Sequence, residues 1–395
     1  MKYDFVTRVD RKKDGSNKWV AIEKKLKGRE GIVPFSVADM EFKTPPEIKD
    51  GLTEFLDHMV LGYTSANDDY YKALISWMER KHNFKIEREW VVHTQGIVAG
   101  IFNAIRAYSS KGDGVIIMRP VYFPFSFAIE RQERKIVNCP LIEDNGYYEI
   151  DFNLFEELAK DENNKILLFC SPHNPCGRVW TKEELEKIGK IVLDNNLLLL
   201  SDEIHSDIIM PGSKHIVFQT LSDDLAEKTI TFTSPSKTFN LAGLGLSNII
   251  IKNKDLRDKF KKAMFNVGIN ANSALGYKAG ELAYNYCEGW LDEAISVIYE
   301  NEKFLMNFFE KNYSKIKAPL SEGTYLSWID FRDLGLDDTD LEKFLEDKAG
   351  IFSNMGYIFG DEGKGFVRLN LACPKDVLAE ALGRLDAALK EINYK

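Results

Sequence analysis

The chain has 395 residues, 44% hydrophobic and 29% charged, with a net charge of −9 at pH 7. This is the composition of an ordinary globular protein long enough for two or three domains, and its acidic balance argues against a nucleic-acid surface, which shows a basic stripe or a high pI. The opening MKYDFVTRVD carries charge throughout, unlike a signal peptide, and no apolar run approaches the roughly 18 residues of a membrane span.

In chain order, the first segment gathers basic residues (Arg8, Arg11, Lys12, Lys13, Lys18, Lys24, Lys25) interrupted by Asp10, Asp14 and Glu23. An interrupted charge run of this kind reads as a solvated face. A helix is expected over 97–111. Strand-length apolar runs then alternate with helical patterns: GVIIMRP (114–120), KILLFCS (165–171), a helix over 181–195, LLLLSDEI (197–204), TITFTSPS (229–236), LSNIIIKN (246–253) and a helix over 255–265. Thr181 with Glu184 three residues on predicts a capping box. Continuous apolar strands separated by helices mean an α/β fold, its central sheet mostly parallel and covered on both faces. A helical stretch from about 276 to 312 follows, then TYLSWIDF (324–331), a helix opening near Thr339, GFVRLNLA (365–372) and a final helix from about 375, together a smaller α+β unit. The expected division is a large domain of residues 46–285 and a small domain of 1–45 with 286–395, although pattern alone does not dictate where 1–45 belong. Five scattered cysteines (Cys139, Cys170, Cys176, Cys287, Cys373) without C-x-x-C spacing suit a reducing cytosol better than disulfides or a zinc site. The expected location is cytoplasmic.

Ligands of open parallel sheets bind outside the carboxyl ends of the strands. Three polar clusters fall there and are expected to converge: Ser171-Pro172-His173-Asn174, Asp202-Glu203 and Ser234-Pro235-Ser236-Lys237. Asp202 ends a run of four leucines, and a buried carboxylate persists only beside a cation or strong donors. It reads either as a loop-anchoring aspartate or as the counter-ion of a protonated ligand group. Lys237 follows a buried strand, and a poorly hydrated lysine has the depressed pKa that suits Schiff-base formation with an aldehyde. HTQGIVAGIFNAI sets Gly96 at the start of a helix, whose free N–H groups attract phosphate; a turn glycine is the alternative reading. Ser234 adds a hydroxyl. A phosphate, an aldehyde-binding lysine and a buried aspartate together describe pyridoxal phosphate, an electron sink that the protein positions and tunes.

SPSKTFNLAGLG (234–245), SDEIHSD (201–207) and SPHNPCGR (171–178) resemble the lysine, aspartate and asparagine motifs of the fold-type I pyridoxal phosphate enzymes, the class I/II aminotransferase superfamily. VADMEF (37–42), VLGYTSAND (60–68), RPVYFPF (119–125), GYYEIDF (146–152), EGTYLSWIDF (322–331) and RLNLACP (368–374) extend the resemblance to the MalY/PatB branch, the cystathionine β-lyases and cystalysin-like C–S lyases, over nearly the whole chain. The resemblance implies a homodimer of transferase fold type I that acts on a small-molecule amino-acid substrate. It implies Lys237 as the Schiff-base lysine and the base at Cα, Asp202 on the pyridine nitrogen, Asn174 on the ring's phenolic oxygen and Tyr122 on the ring face. Phosphate would be held by Gly96, Ile97, Val98, Ser234 and a Tyr63 reaching across from a second subunit. Arg368 would grip the substrate carboxylate with its two-pronged guanidinium, beside Asn174 and Ala38, and either Lys237 or Tyr122 would protonate the departing thiol. The chain departs from the wider fold at two places: Gly245 stands where many relatives carry an arginine for phosphate, and His205 where many carry a tyrosine. Both fit the lyase branch, with His205 a supporting residue at the cofactor.

Ser234-x-x-Lys237 also matches the S-x-x-K of serine hydrolases, but the S-D-N and K-T-G partners are missing from the sequence. The six histidines form no H-E-x-x-H array, so no metal is expected. A non-enzymatic module would have no need of Lys237. An aminotransferase would share Lys237, Asp202, Asn174 and Arg368, and residue logic alone does not separate it from a lyase; the branch resemblance points to α,β-elimination from cystathionine- or cysteine-type substrates.

Overall fold

The computed structural model describes residues 1–60, 62–269 and 273–394; Leu61 of the VLGYTSAND stretch lies outside them. Its centre is a seven-stranded sheet of β1 (Val91–Thr94), β2 (Gly114–Ile117), β3 (Lys135–Asn138), β4 (Asn164–Cys170), β5 (Leu198–Asp202), β6 (Thr229–Thr233) and β7 (Ser247–Ile251). The order across the sheet is β1-β7-β6-β5-β4-β2-β3. All neighbours are parallel except β7, which runs antiparallel to both β1 and β6. The mostly parallel sheet expected from the apolar runs is therefore present, with one reversed strand and two strands, β1 and β3, that the runs do not announce. β3 is an edge strand of half-exposed, half-polar residues, which leaves little hydrophobic pattern to read.

The continuous apolar runs resolve into two faces because successive strand residues point to opposite sides. Val115, Ile117, Ile166, Leu168 and Leu200 pack with helix Ile97–Tyr108, whereas Ile116, Leu167, Phe169 and Leu199 pack with Leu185, Ile188 and Val192 of helix Lys182–Asp194. The second helix opens with the expected capping box: Glu184 N donates to Thr181 Oγ1 (3.2 Å) and Thr181 N to Glu184 Oε2 (2.7 Å).

The expected helical stretch 276–312 is two helices, Ala274–Tyr286 and Glu288–Asn312, broken at Cys287. The longer one belongs to two cores. Trp290, Leu291, Ala294 and Ile298 pack against the sheet-bearing body, and Leu305 and Phe309 against the C-terminal unit. That unit holds a three-stranded antiparallel sheet in which Phe366–Asn370 lies between Leu326–Asp330 and Asn354–Met355. Residues 1–45 also divide: Val33 and Phe35 join the C-terminal core, while Phe5, Met40 and Phe42 join the other. The early basic segment is only partly a solvated face. Lys18 is wholly buried, its Nζ paired with Asp39 (2.9 Å) and Glu41 (2.8 Å). Its partners lie more than twenty residues away, out of reach of a charge-run argument. Among the described residues no helix is long and apolar enough to cross a membrane, no group of acidic, histidine and cysteine side chains can hold a metal ion, and all five cysteines are free.

Candidate active site

The carboxyl ends of β4, β5 and β6 open onto one cavity of about 290 Å³, the size of a small-molecule site. Asn174, Asp202 and Lys237 all line it, so the three strand-end clusters converge. Ala38, Gly96, Ile97, Val98, Tyr122, His205 and Arg368 line it too. Ser234 does not. Its hydroxyl donates to the Leu246 carbonyl (2.7 Å) and accepts from Ser236 N (3.0 Å), and Ser236 lines the cavity beside it. Tyr63 also lies apart, fully exposed on the single chain.

Asp202 caps β5 and is 2% exposed; its one backbone donor is Ile204 N at 3.2 Å. Burial raises its carboxyl to about 7, with Lys237 pulling the other way, as expected for an anion short of donors. Lys237 sits on the short turn Pro235–Thr238, where Ser234 caps the turn and Pro235 starts it. Burial, with Arg368 next, lowers its ammonium to about 8, near the pH at which a proton carrier works best. Its Nζ donates to the Ala38 carbonyl at 2.6 Å.

Arg368 occupies the central strand of the C-terminal sheet, 3% exposed, yet it has no carboxylate partner among the described residues. Two neutral amides orient it: Nη1 donates to Asn174 Oδ1 (2.8 Å) and Nη2 to Asn354 Oδ1 (2.7 Å), while its Nε is unbonded and Phe359 lies under the guanidinium (4.9 Å). A buried cation without an anion is costly unless a ligand supplies one. His205 is buried against Tyr325 (5.7 Å), and burial with Lys237 and Arg368 nearby drives its pKa well below the ordinary value, so it is neutral here. Burial pushes the Tyr122 phenol up to about 12, keeping it a proton donor at neutral pH.

Where Gly96, Ile97 and Val98 line the cavity, helix Ile97–Tyr108 begins with no side-chain cap, so main-chain N–H groups and the helix dipole are available to a ligand. Gly245 adopts φ +58, and a Cβ there would stand 3.4 Å from the Gln95 carbonyl. An arginine at this position would be strained by its left-handed backbone.

Three further residues shape the site that sequence reasoning misses. Asn354 accepts from Arg368 and also from Val37 N (3.1 Å). Tyr325 donates to the Ala38 carbonyl at 2.8 Å. Asp207, partly buried, accepts from Trp77 Nε1 (3.0 Å), His82 Nε2 (2.7 Å) and Thr238 Oγ1 (2.6 Å), and so anchors the turn that carries Lys237. Asp207 stands inside the SDEIHSD stretch, and its spacing from Asp202 is the one signal that could have found it.

A family model for aminotransferase class I and II matches residues 30–385. The chain is 37% identical over 386 residues to cystathionine beta-lyase PatB of Bacillus subtilis (strain 168), covering 98% of this chain and 100% of that one. It is 31% identical over 393 residues to protein MalY of Escherichia coli (strain K12), covering 99% and 100%. Among solved structures, that of cystalysin from Treponema denticola, which contains a pyridoxal 5'-phosphate cofactor, matches with a TM-score of 0.98 and 53% identity over 100% of both chains.

Proposed function

The chain belongs to the class I and II aminotransferase family, and within it we propose a pyridoxal phosphate-dependent carbon–sulfur β-lyase that cleaves L-cystathionine or L-cysteine-type substrates to a thiol, pyruvate and ammonia. What carries the reading is the convergence of Lys237, Asp202, Asn174 and Arg368 on one cavity, in a chain whose full length matches cystathionine beta-lyases and cystalysin.

The cavity suits the cofactor on its own terms. A buried carboxylate short of donors suits a protonated ring nitrogen, the uncapped helix start suits a phosphate, and a lysine with a lowered pKa suits an aldehyde. Asp202, Asn174, Tyr122, His205, Lys237 and the main chain of Gly96, Ile97 and Val98 would hold it. When bound, pyridoxal phosphate acts as the electron sink for the bonds at the substrate's Cα. Arg368 binds and orients the substrate carboxylate, beside Asn174 and the Ala38 backbone. Lys237 takes the Cα proton, and its turn is braced from behind by Asp207. The bond from Cβ to sulfur then breaks. Protonated Lys237 and the Tyr122 phenol are the two donors that the cavity offers to the departing thiolate. Water completes the balance: cystathionine and water give homocysteine, pyruvate and ammonia.

The test is to supply L-cystathionine to the cofactor-loaded protein without a keto acid and follow pyruvate through lactate dehydrogenase, with a parallel sample given 2-oxoglutarate. Many turnovers of pyruvate without an acceptor are expected. Glutamate without pyruvate would mean that the same residues serve an aminotransferase.

Ser234 is the phosphate ligand that needs qualification, because its hydroxyl already serves Leu246; Ser236, which lines the cavity, is the better-placed neighbour. Tyr63 is proposed to reach the phosphate of a second copy. It is fully exposed here, with Val60 87% and Leu56 48% exposed nearby in sequence, and such apolar exposure marks an interaction surface. The protein is expected to be a dimer by light scattering, and Tyr63→Phe is expected to weaken cofactor retention about 10–10²-fold, the worth of one hydrogen bond to a charged group. An active monomer would refute this.

Asp202 also predicts a pH signature in the chain stripped of cofactor. With the folded-state carboxyl raised to about 7, the folded chain keeps a proton that the unfolded chain releases near pH 4. Stability from this group is therefore full below about pH 4 and lost as pH rises toward 7, by up to about 4 kcal/mol. Urea midpoints across that window should fall in the wild type. Asp202→Asn, which does not titrate, should remove this part of the slope; an unchanged slope would refute the assignment.

A further inference from the structure

Lys18, at the start of helix Asn17–Leu26, takes no part in the cavity and yet is completely buried. Its Nζ donates to the Asp39 carbonyl (2.9 Å) and to Glu41 Oε1 (2.8 Å), and forms an ion pair with Asp39 Oδ1 (2.9 Å). Arg11 closes the cluster from outside, at 2.8 Å from Asp39 Oδ2 and 2.9 Å from Glu41 Oε1. Buried ion clusters are a poor source of net stability compared with apolar packing, but they fix geometry. The geometry fixed here is that of residues 37–41.

This strap is under strain. Val37 has φ +55, a region unfavourable to a β-branched residue and held only where its surroundings over-determine it. The surroundings do so at successive carbonyls. Asn370 Nδ2 donates to the Val37 and Asp39 carbonyls (2.8 and 2.6 Å), and Asn240 Nδ2 donates to that of Met40 (3.0 Å). Between them, the Ala38 carbonyl accepts from Lys237 Nζ (2.6 Å) and the Tyr325 hydroxyl (2.8 Å). The Val37 amide donates to Asn354, the residue that orients Arg368.

We infer that Lys18 is a positioning residue: by neutralising Asp39 and Glu41 it pins the strap that sets the Ala38 carbonyl on Lys237 and Val37 on Asn354, and so aligns the amine and the carboxylate grip of the site from a place that no substrate touches. Consistent with this, the Asp39 carboxyl is held below its ordinary range: burial pushes it up, and the Lys18 and Arg11 charges outweigh that push. The kinetic side of the inference rests on the lyase reading; the structural side does not.

The test compares wild type, Lys18→Met and Lys18→Arg as full-length, cofactor-loaded protein, by hydrogen exchange and by steady-state pyruvate release. In Lys18→Met, peptides over 37–42 should exchange at least tenfold faster while those over 164–170 are unaltered. KM for the amino acid should rise at least tenfold with a smaller change in kcat, and Lys18→Arg should recover most of both. If the methionine variant does not fold, Lys18→Met/Glu41→Gln, which removes a carboxylate with the cation, is judged by the same criteria. Unaltered exchange over 37–42 in a folded variant overturns the inference. So does faster exchange with KM within twofold of wild type, which would leave Lys18 a merely structural residue. Absence of pyruvate from the wild type would sink the lyase reading instead, and the exchange result would still decide whether Lys18 pins the strap.

Discussion

Lys237→Ala is expected to lower the rate of pyruvate release by about 10⁴-fold or more while the protein remains folded. General-base catalysis by a positioned group is worth roughly 10²–10⁴-fold, and this lysine is also the proposed covalent anchor. The structure explains why the fold should survive. Lys237 makes one hydrogen bond, to the Ala38 carbonyl, and Tyr325 continues to donate to that oxygen when the amine is gone. The turn is held separately, through Thr238 on Asp207 and Ser234 on Leu246. Burial lowers the Lys237 ammonium to about 8, so the folded chain binds this proton less tightly than the unfolded chain. Removing the group relieves a cost that is present at neutral pH, and with both proteins stripped of cofactor the melting temperature of the variant should be no lower than that of the wild type. Small primary amines added to the buffer should restore a measurable fraction of the rate, because the truncated side chain leaves room for a free amine at the same place. A folded alanine variant that keeps a tenth of wild-type activity would refute the assignment.

The site residues legible in the sequence share one property: their position along a single element already says what surrounds them. Asp202 at the end of four leucines must be poorly solvated, Lys237 just past an all-buried strand must emerge beside it, and Arg368 inside FVRLNLA must be buried. All three lie on the cavity. The residues that are not legible depend on partners distant in the chain. Asn354 matters because it meets Arg368 and Val37, 14 and 317 positions away, and Tyr325 because it meets Ala38, 287 positions away. Lys18 belongs to a run that looks solvated until Asp39 and Glu41 are folded onto it. Ser234 and Ser236 are indistinguishable in sequence; only the turn decides that one faces Leu246 and the other the cavity. The same holds for the fold. Apolar runs locate β2, β4, β5, β6 and β7, but a buried run carries no direction, so the reversal of β7 is not legible. The break at Cys287 has neither glycine nor proline at the break itself, and the helical pattern runs through it.

Arg368 should give the second large effect, and on a different kinetic parameter. A fully buried guanidinium with no carboxylate partner among the described residues is held ready by Asn174 and Asn354; burial lowers its pKa to about 10, still cationic at neutral pH. A substrate carboxylate would supply the missing anion in a two-pronged contact. Each hydrogen bond to a charged group contributes roughly 1.5–3 kcal/mol, so losing two should cost about 3–6 kcal/mol, or a factor of about 10²–10⁴ at 1.4 kcal/mol per decade. Arg368→Ala is therefore expected to raise KM for cystathionine by that factor, with kcat changed much less and the cofactor absorbance intact. Arg368→Lys should recover only part, since a point charge does not reproduce the fork. The split between parameters separates this arginine from Lys237. If Arg368 served only the packing of Phe366–Asn370, its loss would lower the melting temperature and leave KM of the surviving folded protein near the wild-type value. If it grips the carboxylate, the stability change should be small, because truncation removes a buried cation that no protein anion compensates, while KM moves by orders of magnitude. Steady-state kinetics and thermal unfolding of the same two variants decide between these outcomes.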